Sequence, residues 1–284
     1  MRVTIDGLQR REGRRELSPD NSHRPSIVPP SPPDPTVFLC NLCGASNSVD
    51  AAQIDRETPS CGGCGSTVRF RGIVAILASE LWGRPLPLWS FPDGDHNRGV
   101  GLSDAECYAK GLAERLNYTN TFYHQDPLLD IAVPPGAEQQ NQYDFLISSE
   151  VFEHVPPPAK NAFSNAALLL KPGGLLLLTV PYRPEGQTEE HFPHLHEYDI
   201  VETTSGYVLN NVRLDGTRER FDSLVFHGGP GSTLEMRVFS LTDLVVQLKQ
   251  AGFSEPRIWD DAFPEWGVYW RQPWPLPLTA RRLR

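Results

Sequence analysis

Tyr143 to Tyr182 is the stretch that most narrows what this chain can become. Phe145 to Ile147 is a short apolar run that breaks abruptly into Ser148, Ser149, Glu150, Glu153 and His154, so a buried strand ends in hydroxyl, carboxylate and imidazole groups. Pro156 to Pro158 can open a helix, because proline costs little in a first turn, and Ala159, Phe163, Ala166, Ala167 and Leu170 then recur at helical spacing. Lys171-Pro172-Gly173-Gly174 stops that helix. Gly174 to Val180 is almost wholly apolar, as a strand covered on both faces must be. Strand, helix, turn and strand in this order make a parallel βαβ unit, and in open α/β sheets ligands gather at the carboxyl ends of the strands.

A chain of 284 residues has room for one α/β domain of about 200 residues and a small appendage. The formal charge of -9 argues against a nucleic-acid substrate. No stretch of eighteen apolar residues is present, which excludes a helical membrane span. The amino terminus is Arg-rich without an apolar core, so no signal peptide is read and a cytoplasmic protein is expected. Residues 1–36 hold Arg10, Arg11, Arg14 and Arg15 and then the run SIVPPSPPDP, with no period that could bury a face. They read as a disordered leader.

Four of the five cysteines fall as Cys40-x2-Cys43 and Cys61-x2-Cys64, each pair followed by glycine, a zinc-ribbon pattern over residues 37–69. Two residues between thiolates let each knuckle aim both sulfurs at one tetrahedral ion, and four thiolates leave no position open for catalysis, so the zinc is structural. Two disulfides or a redox CxxC are the competing readings, disfavoured by the cytoplasmic setting and by the presence of two such pairs. Cys107 lies on an expected helix and reads as a small buried hydrophobe.

With these residues in view, YDFLISSEVFEHV followed by LKPGGLLLLTVPY resembles the fourth and fifth strands of class I S-adenosylmethionine-dependent methyltransferases. The resemblance covers roughly residues 70–284 and implies a Rossmann-like, mostly parallel sheet with an antiparallel last strand, preceded by the small zinc ribbon. It further implies S-adenosyl-L-methionine as cofactor. The family's usual glycine-rich turn after the first strand, where only glycine leaves room for the cofactor, has no counterpart here. In its place Pro87 to Phe91 reads as a short first strand and Pro92 to His96 as its turn, which makes Phe91 and Asp95 cofactor-loop residues. Arg98 to Leu102 resembles the second strand. Gly101 stands where the family has an acidic residue for the ribose hydroxyls; Asp104, three residues later, either takes that role or caps the helix Ala105 to Leu116. Asn117 to His124 resembles the third strand, with Gln125 and Asp126 where the family contacts the adenine amine, and Ser149 completes the cofactor-binding set. GLSD, YAKGLAERL and YTNTFYHQDPLLDI together resemble a subgroup with a shortened cofactor loop, met in bacterial glycan and secondary-metabolite settings. Cysteine-rich amino-terminal modules precede the methyltransferase domain in some sugar C-methyltransferases and some ribosomal RNA methyltransferases.

Glu150, Glu153 and His154 form E-x-x-E-H, and Glu190-His191-Phe-Pro-His194-Leu-His196-Glu197 follows the fifth strand. Such a motif with a later histidine is similar to the divalent-metal site of some small-RNA 2'-O-methyltransferases and ubiquinone-pathway O-methyltransferases. The resemblance implies a second metal on Glu150, Glu153, His154 and His194 or His196, which would lower the pKa of an acceptor hydroxyl. Without a metal, His154 is a general base near neutral pH and Glu150 faces the transfer cleft.

Residues 183–238 read as an insertion at the place where the family builds its acceptor lid, with strands between Gly206 and Phe226 and a flexible loop at His227 to Gly231. Leu241, Leu244, Val245 and Leu248 share one helix face that ends at Gly252, and Glu255 to Asp260 with Gly267 to Arg271 read as the closing antiparallel hairpin. Trp266, Tyr269 and Trp270 are expected to pack on the last helix. The expected activity is methyl transfer to an oxygen or carbon of a small molecule or glycan. A non-catalytic methyltransferase-like binding protein and an RNA methyltransferase are the alternatives.

Overall fold

A computed structural model describes residues 31–93, 96–228, 233–272 and 274–284. The expected leader therefore lies largely outside the described residues. Strands β1 (Thr36–Leu39) and β2 (Ser46–Val49) pair antiparallel and carry the first cysteine knuckle between them. Helix α1 (Val68–Trp82) follows; the Thr67 hydroxyl accepts from the Phe70 amide at its start, and Gly83 ends it at φ 72°. Ten of its residues are buried, so it is a core helix enclosed all round rather than an amphipathic one.

Strands β3 (Arg98–Leu102), β4 (Asn117–Thr121), β5 (Tyr143–Ser149) and β6 (Leu170–Thr179) are mutually parallel. Helix α2 (Glu106–Arg115) joins β3 to β4, and α3 (Lys160–Leu169) joins β5 to β6. The strand-helix-turn-strand reading of Tyr143 to Tyr182 thus holds, with one refinement. Lys171 to Gly174 form the irregular start of β6, where the register with β5 shifts between Tyr143 and Phe145. After β6 the chain makes short strands β7 (Tyr182–Arg183) and β8 (Glu189–Glu190), then the antiparallel β9 (Glu197–Thr203), β10 (Gly206–Val212) and β11 (Arg218–Phe221). Strand β12 (Phe226–His227) pairs with β13 (Thr233–Leu234), and β14 (Arg237–Ser240) lies between β7 and β8. Helix α4 (Leu241–Gln250) is capped by the Ser240 hydroxyl, and Gly252 leaves it at φ 89°. Strands β15 (Arg257–Ile258) and β16 (Leu278–Arg281) close the main sheet, whose order is β15-β16-β6-β5-β3-β4.

Two expected elements differ. Pro87 to Phe91 is not a first strand: Leu88–Ser90 is a single 3-10 turn, and the Leu88 amide donates to the Asn41 carbonyl of the ribbon. A doubly wound sheet of order 3-2-1-4-5-6 sets its first strand between the second and the fourth. Here β3 lies in that position, hydrogen-bonded to β4 on one side and β5 on the other. The closing antiparallel pair is β15 with Leu278–Arg281 rather than with Gly267 to Arg271. Gly267 to Trp270 is buried instead, and Trp266, Tyr269 and Trp270 pack in the core beside α1.

Alternation along the strands builds two cores. Phe145, Ile147, Leu175 and Leu177 face α1, α2 and the carboxyl-terminal aromatics, whereas Leu146, Leu176 and Leu178 face α3 and α4. Each fully buried leucine of β6 contributes about 2 kcal/mol of burial. Among the described residues no helix is long and apolar enough to cross a membrane.

Candidate active site at the carboxyl ends of the strands

The carboxyl ends of β3 and β5 break into turns at Ser103 and Glu150, both in left-handed backbone at φ 55° and 57°. Non-glycine residues adopt that region at some cost, and here they turn the chain away at the mouth of the sheet. Two arginines from the amino-terminal side cover this mouth. Arg56 pairs with Glu150 at 2.5 Å, and Arg69 donates to the Ser149 hydroxyl while holding both oxygens of Glu57 at 2.7 and 2.8 Å. Burial alone would raise the Glu150 carboxyl, but the charges of Arg56 and Arg69 outweigh it and keep the group below its ordinary value. Glu150 is therefore an ion-paired carboxylate at neutral pH.

The expected cofactor residues are dispersed. Asp104 is buried, and its carboxyl accepts from the Tyr108 hydroxyl at 2.7 Å and the Tyr118 hydroxyl at 2.5 Å. It is not the helix cap: Ala105 occupies the N-cap position of α2 without a side-chain bond. Burial raises the Asp104 carboxyl to about 7, against the lowering effect of the two tyrosines. A Cβ on Gly101 would meet the Tyr118 oxygen at 1.9 Å, so the glycine is required by this closed cage, whose interior leaves no room for a ribose. Phe91 is a core residue, its ring 4.6 Å from that of Trp82. Asp126 is exposed in the loop after β4, and Asp95 lies outside the described residues. Ser149 alone of this set sits at the mouth, under Arg69. The acidic ribose contact implied by the resemblance thus does not fit, and a cofactor here would rely on Ser149 and the backbone around Ser103.

The E-x-x-E-H residues separate into two environments. Phe152–His154 is a 3-10 turn fixed by Arg237, which is fully buried and donates to the Phe152 and Val155 carbonyls and to Glu190. The Glu153 side chain is 0 % exposed, its carboxyl is pushed well up by burial and by the nearby Glu150 charge, and neither oxygen accepts a hydrogen bond. His154 Nδ1 lies 2.9 Å from the Leu234 carbonyl, and burial lowers its pKa despite that bond. Its ring stands 4.7 Å from that of His227, edge to face. Glu153, His154 and His227 bring their ligand atoms within 4.8 Å of one another. His194 and His196 do not join them: the chain there is held by Asn211, which accepts from the His196 amide and donates to the His194 carbonyl. His227, which the sequence places in a glycine loop, is the histidine that arrives. The signal for it is its pairing as part of β12 with β13, the strand that also brings Leu234 to His154.

The four expected ribbon cysteines converge. Cys40 and Cys64 sulfurs are 3.7 Å apart and those of Cys43 and Cys61 3.6 Å. A tetrahedral ion with about 2.3 Å bonds to sulfur spaces its thiolates by about 3.8 Å. Gly44 and Gly65 follow the knuckles at φ 77° and 68°. Arg71, wholly buried behind the cluster, spends its donors on Ser60, Ser66, Trp266 and Gly267 and has no carboxylate partner among the described residues. Four thiolates around a divalent ion would give it the countercharge it lacks. The geometry fits a zinc-ribbon-like module.

No curated protein matches the chain. Among solved structures it is similar to the 1,6-didemethyltoxoflavin-N1-methyltransferase of Burkholderia thailandensis, at 15% identity over 75% of this chain and 78% of that one, with a TM-score of 0.41. The sugar N-methyltransferase KedS8 from Streptoalloteichus gives 13% identity over 76% and 87% of the two chains and a TM-score of 0.42. An amino pentose methyltransferase from Micromonospora echinaspora, solved with its S-adenosylmethionine, gives 13% over 66% and 84%, with a TM-score of 0.38. Residues 92–254, more than half of the chain, match the family profile described as a methyltransferase domain, and the chain belongs to that family.

Proposed function

We propose that the protein is an S-adenosylmethionine-dependent methyltransferase acting on an oxygen or carbon of a small molecule or glycan. The observation that supports it is the family match over residues 92–254, which spans β3 through α4. The cofactor would supply an electrophilic sulfonium methyl, so the protein's part is alignment of the acceptor and removal of its proton. We assign acceptor orientation to Glu150 and Ser149 at the strand mouth, and the role of acceptor lid to residues 183–238. Structural zinc is assigned to Cys40, Cys43, Cys61 and Cys64. A net charge of -9 favours a neutral or cationic acceptor over a polyanion.

A second reading, a methyltransferase-like protein without catalysis, is favoured by one observation. Asp104 is sealed by two tyrosines, and Arg56 closes over Glu150. Titration calorimetry of the zinc-loaded full chain with S-adenosylhomocysteine separates the two. Saturable one-to-one binding supports the enzyme, and a folded sample that takes up none supports the second reading.

A further inference from the structure

Two neighbouring side chains, Glu153 and His154, meet His227 from more than seventy residues later, and their ligand atoms converge on one place. The Glu153 Oε1 oxygen is 3.6 Å from His154 Nε2 and 3.9 Å from His227 Nδ1. The other nitrogen of each ring fixes which atom faces inward. His154 Nδ1 lies 2.9 Å from the Leu234 carbonyl, which can only accept, so this nitrogen carries the proton and Nε2 is bare. His227 Nε2 lies 3.1 Å from Glu235 Oε2, an acceptor for its N–H, which leaves Nδ1 as the ring atom turned toward Glu153. Glu235 is held in turn by His191, whose Nε2 is 2.9 Å from its Oε1. The inward-facing set is thus two imidazole nitrogens and a carboxyl group. That carboxyl is fully buried, and neither of its oxygens has a hydrogen-bond partner among the described residues.

Two imidazole nitrogens and a buried carboxyl oxygen within 4.8 Å of one another make a preformed set of ligand atoms. At 3.6 and 3.9 Å the atoms are too far apart to share a proton in an ordinary hydrogen bond. The spacing is close to that of ligands around a transition ion bound at about 2.0–2.2 Å, which sit roughly 3.3–3.6 Å apart. Outer partners that take the remote N–H of each histidine, a carbonyl for one and a carboxylate for the other, are the supports that metal-binding imidazoles require. The turn that presents Glu153 and His154 is fastened by buried Arg237, and the Met236 amide donates to the Glu153 carbonyl at 2.9 Å.

We infer that Glu153, His154 and His227 bind a divalent first-row transition ion, with Glu235 and His191 as the outer support. The ligand set of two nitrogens and one oxygen selects an ion of the zinc, iron or cobalt type over calcium or magnesium. Three protein ligands leave coordination positions open to water or a small oxygen ligand. Glu150 is held instead by Arg56, and His194 is not among the residues whose ligand atoms converge with Glu153. The site stands whether or not the chain transfers methyl groups.

The test uses the full chain, stripped with a chelator and titrated with cobalt. Ribbon cobalt shows intense thiolate charge-transfer bands, whereas the proposed site adds only weak visible bands of nitrogen and oxygen ligation. The expected wild-type titration fills the ribbon and then one ion more, and azide shifts only the weak bands. His227→Ala and Glu153→Gln should lose the weak bands and the extra ion while the thiolate bands, which report an intact ribbon, remain. His194→Ala should retain both. A wild-type chain that saturates with the ribbon ion alone overturns the site without recourse to any variant. Retention of the extra ion by a folded His227→Ala chain overturns the ligand set, and weak bands that ignore azide overturn the open positions.

Discussion

Asp104 shows how one side chain can be visible in a sequence while its environment is not. An acidic residue just after a strand is easily read as a ligand contact or a helix cap. What decides its state is burial in a cage closed by Tyr108, one helical turn on, and Tyr118 from the neighbouring strand; the burial raises its pKa although the two hydroxyl hydrogen bonds oppose the rise. The caged carboxyl holds its proton up to about pH 7, whereas in the unfolded chain it would lose it near 3.8. A folded pKa above the unfolded one gives stability that is complete below the unfolded value and is lost as pH rises through the folded value. The size is about 1.4 kcal/mol for each unit of difference. Asp104→Asn removes this dependence, so its melting temperature should at least equal that of the wild type near pH 8 and decline less between pH 5 and 8. Thermal denaturation across that range checks the prediction, and an unchanged slope would refute it. His227 teaches the same lesson from the other side. Its neighbours Gly228 and Gly229 read as loop, and only the pairing of β12 with β13 brings it to His154, more than seventy residues earlier.

At the level of elements, what could be read was what repeats. The Tyr143 to Tyr182 unit declared itself through an apolar run, a helical period and a run of leucines, and the helix over Leu241–Gln250 through its single apolar face. Pro87 to Phe91 has the composition of a strand but no edge to pair with, because β3 already lies against β5. Leu278–Arg281 went unread because the preceding prolines suggest a loop, yet it pairs along Leu175 to Leu178. The two glycines of β3 are explained by the neighbours that fill their places. A Cβ on Gly99 would lie 2.0 Å from the Phe145 ring. Gly99→Ala should therefore destabilise the domain by about 1–3 kcal/mol, the ordinary cost of overpacking a core. Gly99→Ala combined with Phe145→Leu should cost less than the two changes added together. Urea denaturation of the four chains measures this; strict additivity would mean that the backbone, rather than Phe145, absorbs the clash.

Across the whole molecule, the ribbon and the sheet mouth are one structure. Arg71 ties the cysteine cluster to Trp266 and Gly267, and Arg56 reaches from the ribbon's exit to Glu150 and to the Pro275 carbonyl. Binding of a structural zinc releases on the order of 10 kcal/mol, which in such modules is folding energy. Removing ribbon zinc should therefore lower the melting temperature of the whole chain and also speed amide exchange at Ser149 to His154. Exchange there that is indifferent to chelation would show that the ribbon folds and unfolds on its own. Helix α1 has a further consequence, for the order of events in folding. Its far end is tied to β16: the Glu80 side chain meets Arg281 and Thr279, about two hundred positions later in the chain. Contacts of such separation close late and slowly. A ribosome that has delivered everything up to α4 has supplied β5 and β6 but not Val268, Trp270 or β16, so this helix waits partly uncovered, a client for chaperones until those residues emerge.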